Sequence, residues 1–129
     1  MATKHPATQL SLRKLRAEGW TCAVTEHFVK QPHMAHGVRQ DLFGFCDILA
    51  IREGRTLAIQ CTSYGGVSDR IRKLKALDEV QVALLAGWEV RIHGWHHAAK
   101  GARWELKRDV PLELNPDWTP SSTPAVPQA

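Results

Sequence analysis

Asp47 stands alone among apolar residues in the run LFGFCDILAIR, residues 42–52. A carboxylate taken out of water is costly unless it has a partner or a ligand. Glu53-Gly54 is a tight-turn signal, and RTLAIQCT, residues 55–62, reads as the returning strand. With the turn there, Arg52 faces Arg55 and Asp47 faces Gln60. Antiparallel partners share a face, with Cβ atoms about 4.5–5.5 Å apart. Thr62 projects to the same face as Gln60, while Leu57, Ile59 and Cys61 project to the other. The expectation is a polar trio, Asp47, Gln60 and Thr62, on one face of a sheet whose other face is apolar. A slip of one residue would pair Asp47 with Cys61 and dissolve the trio.

Oxygen donors of this kind suit a hard cation. Mg²⁺ (or Mn²⁺) takes one or two carboxylates together with water and phosphate. Asp47, the Gln60 side-chain oxygen, Glu26 near the end of the preceding strand and Asp41 before the next one could supply such a set. The chemistry would be metal-assisted phosphodiester hydrolysis, in which the ion lowers the pKa of a bound water and neutralises phosphate charge. The helical stretch DRIRKLKAL, with Arg70, Arg72, Lys73 and Lys75, follows the returning strand closely. Such cations hold phosphates without reading base sequence. The Gly65-Gly66 loop could bring backbone amides up to a phosphate. Each feature also has a plainer reading. Asp47 could belong to a buried hydrogen-bond network, Glu26 and Asp41 could cap loops, and the basic helix face could simply be solvated.

Other candidates are weaker. His27, His33 and His36, and His93, His96 and His97, invite a zinc reading, but His33-x2-His36 lacks a third ligand. Cys22, Cys46 and Cys61 have no C-x-x-C spacing and read as reduced core thiols. Trp95 and Trp104 read as packing residues before base-stacking ones. No P-loop, G-x-S-x-G or Ser-His-Asp pattern is present.

The elements that must position these residues follow from periodicity. Residues 8–18 read as a helix with Thr8 as N-cap and Gly19 as its stop. Residues 20–29 read as a strand, 30–40 as a loop, 42–52 and 55–62 as the hairpin, and 63–68 as a loop. A helix starts near Ser68 with Ile71, Leu74 and Leu77 as its stripe, and runs on or restarts at Asp78. Residues 88–95 and 102–108 alternate as strands. The first three strands are expected to form a meander in a mixed α/β sheet. The body spans 1–110, and residues 111–129, with five of the seven prolines, read as a flexible tail.

With 129 residues, 43% hydrophobic and 23% charged, the chain has the mix of one ordinary domain, which excludes collagen, coiled coil and wholesale disorder. No apolar run approaches the ~18 residues of a membrane span, and the start has no apolar secretory core, so a cytoplasmic location is expected. The formal charge is +4; 17 basic residues face 11 acids within the first 110, a net of +6. That bias favours a polyanionic partner such as nucleic acid.

The stretch RQDLFGFCDILAI…TLAIQCTS resembles the PD-(D/E)XK nuclease superfamily, above all small phage and prokaryotic members that are Holliday-junction-resolvase-like or VRR-NUC-like. The likeness covers roughly residues 8–108, and its specific part is residues 39–63. It implies a restriction-endonuclease-like αβββαβ core, a central mixed sheet flanked by helices, and a Mg²⁺-dependent nuclease. Asp47 matches the motif's aspartate, Gln60 stands where Glu or Asp is usual, and Thr62 where Lys is usual. Glu18 or Glu26 matches an accessory acid, and Lys73, Arg70 or Arg39 could replace the missing cation. The expected function is metal-dependent DNA hydrolysis, with branched DNA as a candidate substrate and a homodimer as the candidate assembly. The alternatives are an inactive DNA-binding module, favoured by Gln-x-Thr, and a protein-interaction scaffold, which requires an exposed apolar patch.

Overall fold

A computed structural model describes residues 6–33, 35–97 and 103–120. Helix α1 (Ala7–Ala17) opens the chain with Pro6, not Thr8, as its N-cap. It buries Leu12 and Leu15, and Gly19 ends the turn at φ +94°. Strand β1 (Thr21–Val24) follows, then a small hairpin of β2 (His27–Val29) and β3 (Val38–Gln40), then β4 (Ile48–Arg52) and β5 (Arg55–Ser63). A 3₁₀ turn (Tyr64–Gly66) leads into α2 (Val67–Lys75) and α3 (Asp78–Leu85). Strands β6 (Glu89–His97) and β7 (Trp104–Pro111) close the fold.

The five-stranded sheet runs β1-β4-β5-β6-β7. β5 is antiparallel to β4 and parallel to β6, so the α/β sheet is mixed, and the order β1-β4-β5 is the expected meander. The hairpin register is the expected one, Arg52 opposite Arg55 and Ile48 opposite Ile59. Both faces are covered. Under α1 lie Leu12, Leu15, Trp20, Ile48, Ala50, Leu57 and Ile59. Against α2 and α3 lie Phe45, Ala58, Val67, Leu74, Val80, Val90 and Ile92. β5, buried on both sides, accordingly reads as a nearly continuous apolar run.

Several further expectations need correction. Residues 20–29 are not one strand: the chain leaves the large sheet after Val24 and enters the small hairpin. The end of the expected loop, 38–40, is β3 of that hairpin. Residues 42–47 are a turn rather than strand, closed by Cys46 N–H to the Leu42 carbonyl at 2.9 Å, with Phe43 and Gly44 at φ +55° and +80°. The tail does not begin at 111, because β7 reaches Pro111 and Leu112 is buried. Leu112 N–H donates to the Val90 carbonyl at 2.8 Å, and the Trp118 indole donates to Asp78 at 2.8 Å. The end of that segment, 121–129, lies outside the described residues. The polar trio is likewise confined to one end of its sheet face, since α2 and α3 cover the rest over Ala58. Among the described residues, no helix is long and apolar enough to cross a membrane.

Candidate metal and phosphate site

Asp47 sits where the large sheet ends. Its N–H donates to the Ile59 carbonyl and its carbonyl accepts from Thr25 N–H, at 2.8 and 2.9 Å, so its backbone is held from both sides. Its carboxyl Oδ2 accepts from the Gln60 amide Nε2 at 2.8 Å and from the Cys61 backbone N–H at 2.8 Å. The expected pairing of Asp47 with Gln60 is therefore present, and both side chains are buried.

The small hairpin supplies the other acids. His27 pairs with Gln40 at its base. Glu26 just precedes β2 and Asp41 just follows β3, so the two ends of the hairpin carry facing carboxylates back to the sheet. One oxygen from each of Glu26, Asp41 and Asp47 lies within 4.8 Å of the others. They line a cleft of about 430 Å³ together with Thr8, Gln60, Thr62, Ser63 and Arg70. The cleft lies along the carboxyl-terminal residues of β5, Gln60 to Ser63.

Three carboxylates this close need a cation or a proton between them. Burial, and then a hydrogen bond from its protonated form to the neighbouring Asp41 carboxylate, push the Asp47 carboxyl up to about 8. Without a metal, Asp47 keeps its proton at neutral pH. Gln60 adds a second sign of an unmet need: its Oε1 is buried and has no hydrogen-bond partner among the described residues. An orphaned buried acceptor costs about 1–3 kcal/mol. Carboxylate oxygens plus an amide oxygen are the hard donor set that fits Mg²⁺ or Mn²⁺.

Arg70 is the basic residue of α2 that lines this cleft. Lys73 lies one turn further, in an adjoining cleft with Thr62, Ser63, Gly66, Asp69 and Arg70. Arg72 points away and pairs with Asp69 at 3.0 Å. Lys75 lines a different cleft, with Ile71 and residues 110–116. Arg39 is in β3 opposite Phe28, and its side chain is outside the described residues. Glu18 is not at the site: it pairs with Lys14 at the end of α1 and lines the cleft of Trp20 and His93. Ser63 is a lining residue the sequence did not single out, whereas Gly66 belongs to the Gly65-Gly66 loop read there as able to approach a phosphate.

The histidine and cysteine readings also resolve. His93 is buried, its Nδ1 2.8 Å from the Ser11 hydroxyl, which also accepts from the Trp95 indole at 2.8 Å. Burial holds the His93 imidazole down at about 4, so it is neutral and structural. Trp95 is core, and Trp104 stacks on His97 at 4.7 Å between centroids. Burial pushes the Cys46 and Cys61 thiols up to about 11 and 12, which makes them inert packing groups. No protein-family model, curated protein or solved structure matches this chain.

Proposed function

We propose that this protein is a metal-dependent nuclease that hydrolyses phosphodiester bonds in DNA, with the restriction-endonuclease-like core its sequence resembles. The observation that carries this reading is the convergence of Glu26, Asp41 and Asp47 within 4.8 Å, beside an orphaned Gln60 oxygen. Asp47, Glu26 and Asp41 would hold the ion, and Gln60 would offer a neutral oxygen. When bound, Mg²⁺ or Mn²⁺ supplies Lewis-acid charge and an activated water. The chain's own part is to desolvate the reacting phosphate in the cleft, with the Arg70 charge and the Thr62 hydroxyl at its border.

The test is cleavage of supercoiled, linear and four-way-junction DNA in EDTA, Mg²⁺ or Mn²⁺. The expected result is metal-dependent cutting that falls by about a hundredfold or more in Asp47→Ala. Salt-sensitive DNA binding without cutting under any metal would replace this reading with a binding module. One observation favours a second reading: Phe43, Val82 and Leu85 are 54%, 56% and 61% exposed, and Phe43 and Val82 share a surface cleft with Trp88. An apolar patch of that kind is what a protein-interaction scaffold, or a homodimer, requires. Absence of any salt-dependent DNA binding would select the scaffold.

A further inference from the structure

A second cleft of about 500 Å³ shares Thr62, Ser63 and Arg70 with the carboxylate cleft and is completed by Gly66, Asp69 and Lys73. Its charge has the opposite sign. Asp69 is taken up by Arg72 at 3.0 Å, whereas Arg70 and Lys73 have no hydrogen-bond or ion-pair partner among the described residues. Arg70 is half-buried and lines both clefts, yet it pairs with none of the three carboxylates. A half-buried guanidinium that forms no ion pair is open to an anionic ligand.

Thr62 makes the same point independently. It is 7% exposed, and its hydroxyl has no hydrogen-bond partner among the described residues. The hydroxyl is directed at Gly66, where a Cβ would lie 2.4 Å from Thr62 Oγ1. Glycine is thus required at 66 for the hydroxyl to occupy this space. Gly66 is also the N-cap of α2 and offers no side chain to the first turn. The positive end of that nine-residue helix therefore adds to the field of Arg70 and Lys73. A hydroxyl with no partner among the described residues, two unpaired cations and the N-terminus of α2 border one cleft, a donor set that suits a phosphate.

We propose that this second cleft is a phosphate subsite, holding the backbone phosphate adjacent to the one at the carboxylates, so that the substrate is a polynucleotide strand rather than a single phosphodiester. Thr62 and Arg70 lie between the two clefts and Lys73 at the far side. The inference rests on the nuclease reading of the carboxylate cleft and assigns a strand path to it.

The test compares two substrates in Mn²⁺: a fluorescein-labelled DNA 12-mer and bis(p-nitrophenyl) phosphate, which has one phosphodiester and no neighbour. Arg70→Gln and Thr62→Val should each lower the ratio of kcat/KM for the 12-mer to that for the small diester by about tenfold. Equal losses on both substrates would place these side chains at the scissile phosphate and overturn the subsite. Binding of the 12-mer in EDTA, followed by anisotropy against salt, gives a second readout that needs no cutting. Arg70→Gln and Lys73→Gln should each reduce the salt slope by about 0.7, while Lys75→Gln leaves it unchanged. A slope lowered as much by Lys75→Gln, or by none of them, would overturn the proposal. A wild-type chain that binds with the expected slopes and hydrolyses neither substrate would remove the nuclease reading and keep the subsite.

Discussion

With no divalent cation present, Asp47 folds best with its proton on. Its carboxyl rises from an ordinary 3.8 to about 8 through burial and then Asp41. The unfolded chain therefore gives up this proton near pH 4, and the folded chain retains it until about pH 8. Stability contributed by Asp47 is complete below pH 4 and is lost as pH rises towards 8, by about 1.4 kcal/mol for each unit. In EDTA, Asp47→Asn should gain on wild type as pH is raised from 5 to 8, and thermal melts in parallel would read it; curves that stay parallel would show Asp47 ionised in the fold. His93 works the other way. Its imidazole drops from 6.5 to about 4, chiefly by burial. Asp109 and Glu18 draw it up, and Lys14 and Arg91 push it down. Its neutral form is the folded one, so its contribution is complete above pH 6.5 and lost as pH falls towards 4. In the Asp47→Asn background, His93→Gln should flatten that acid limb, at about 1–3 kcal/mol of stability at pH 7 for the lost Ser11 bond. An unchanged acid limb would assign the pH response to other groups.

Element geometry decides whether these side chains meet. The Asp47–Gln60 pair was legible because Glu53-Gly54 fixes the hairpin register and every partner follows by counting. The break before a restart at Asp78 was legible as an alternative, and Leu77 does adopt extended backbone there, at φ −88° and ψ 122°. The small hairpin was not legible. Its strands are three residues each, and WTCAVTEHFV is β-favourable throughout, so nothing in propensity marks the change of sheet at Thr25-Glu26. The turn at 42–47 was hidden for the same reason, with Gly44 its one marker. Glu26 and Asp41 could thus be proposed from residue type, but their convergence belongs to a hairpin whose base brings them together. The start of α2 depends on another close approach. A Cβ on Gly94 of β6 would lie 2.3 Å from Val67 Cγ2. Gly94→Ala should cost about 1–3 kcal/mol by overpacking. It should also displace the first turn of α2, which carries Arg70, and so lower cutting beyond what the folded fraction accounts for. Denaturant melts with cleavage rates per folded molecule separate the two, and unchanged rates would free the site from this contact.

At the scale of the whole molecule, composition misplaced the end of the domain. Five prolines among the last 19 residues read as a tail, because proline and serine cannot extend a ladder or build a core. One apolar side chain outweighs that average. Leu112 enters the cluster of Val80, Ala83, Val90 and Leu74, and is 6% exposed. The chain then crosses α3, with Asn115 N–H donating to Gln81 Oε1 at 2.9 Å and the Trp118 indole to Asp78 at 2.8 Å. These contacts close the α2–α3 side of the sheet, the side that carries the basic helix to the site. The two accounts of the segment predict different thermodynamics. For an unattached tail, substitutions beyond residue 110 would be neutral. For a packed segment, Leu112→Ala should cost about 2–4 kcal/mol, the price of a buried leucine and its cavity. Trp118→Phe, which keeps a ring and removes the donor, should cost about 1 kcal/mol. Urea melts of the full chain decide between them, and a Leu112→Ala midpoint equal to wild type would return residues 111–118 to the tail.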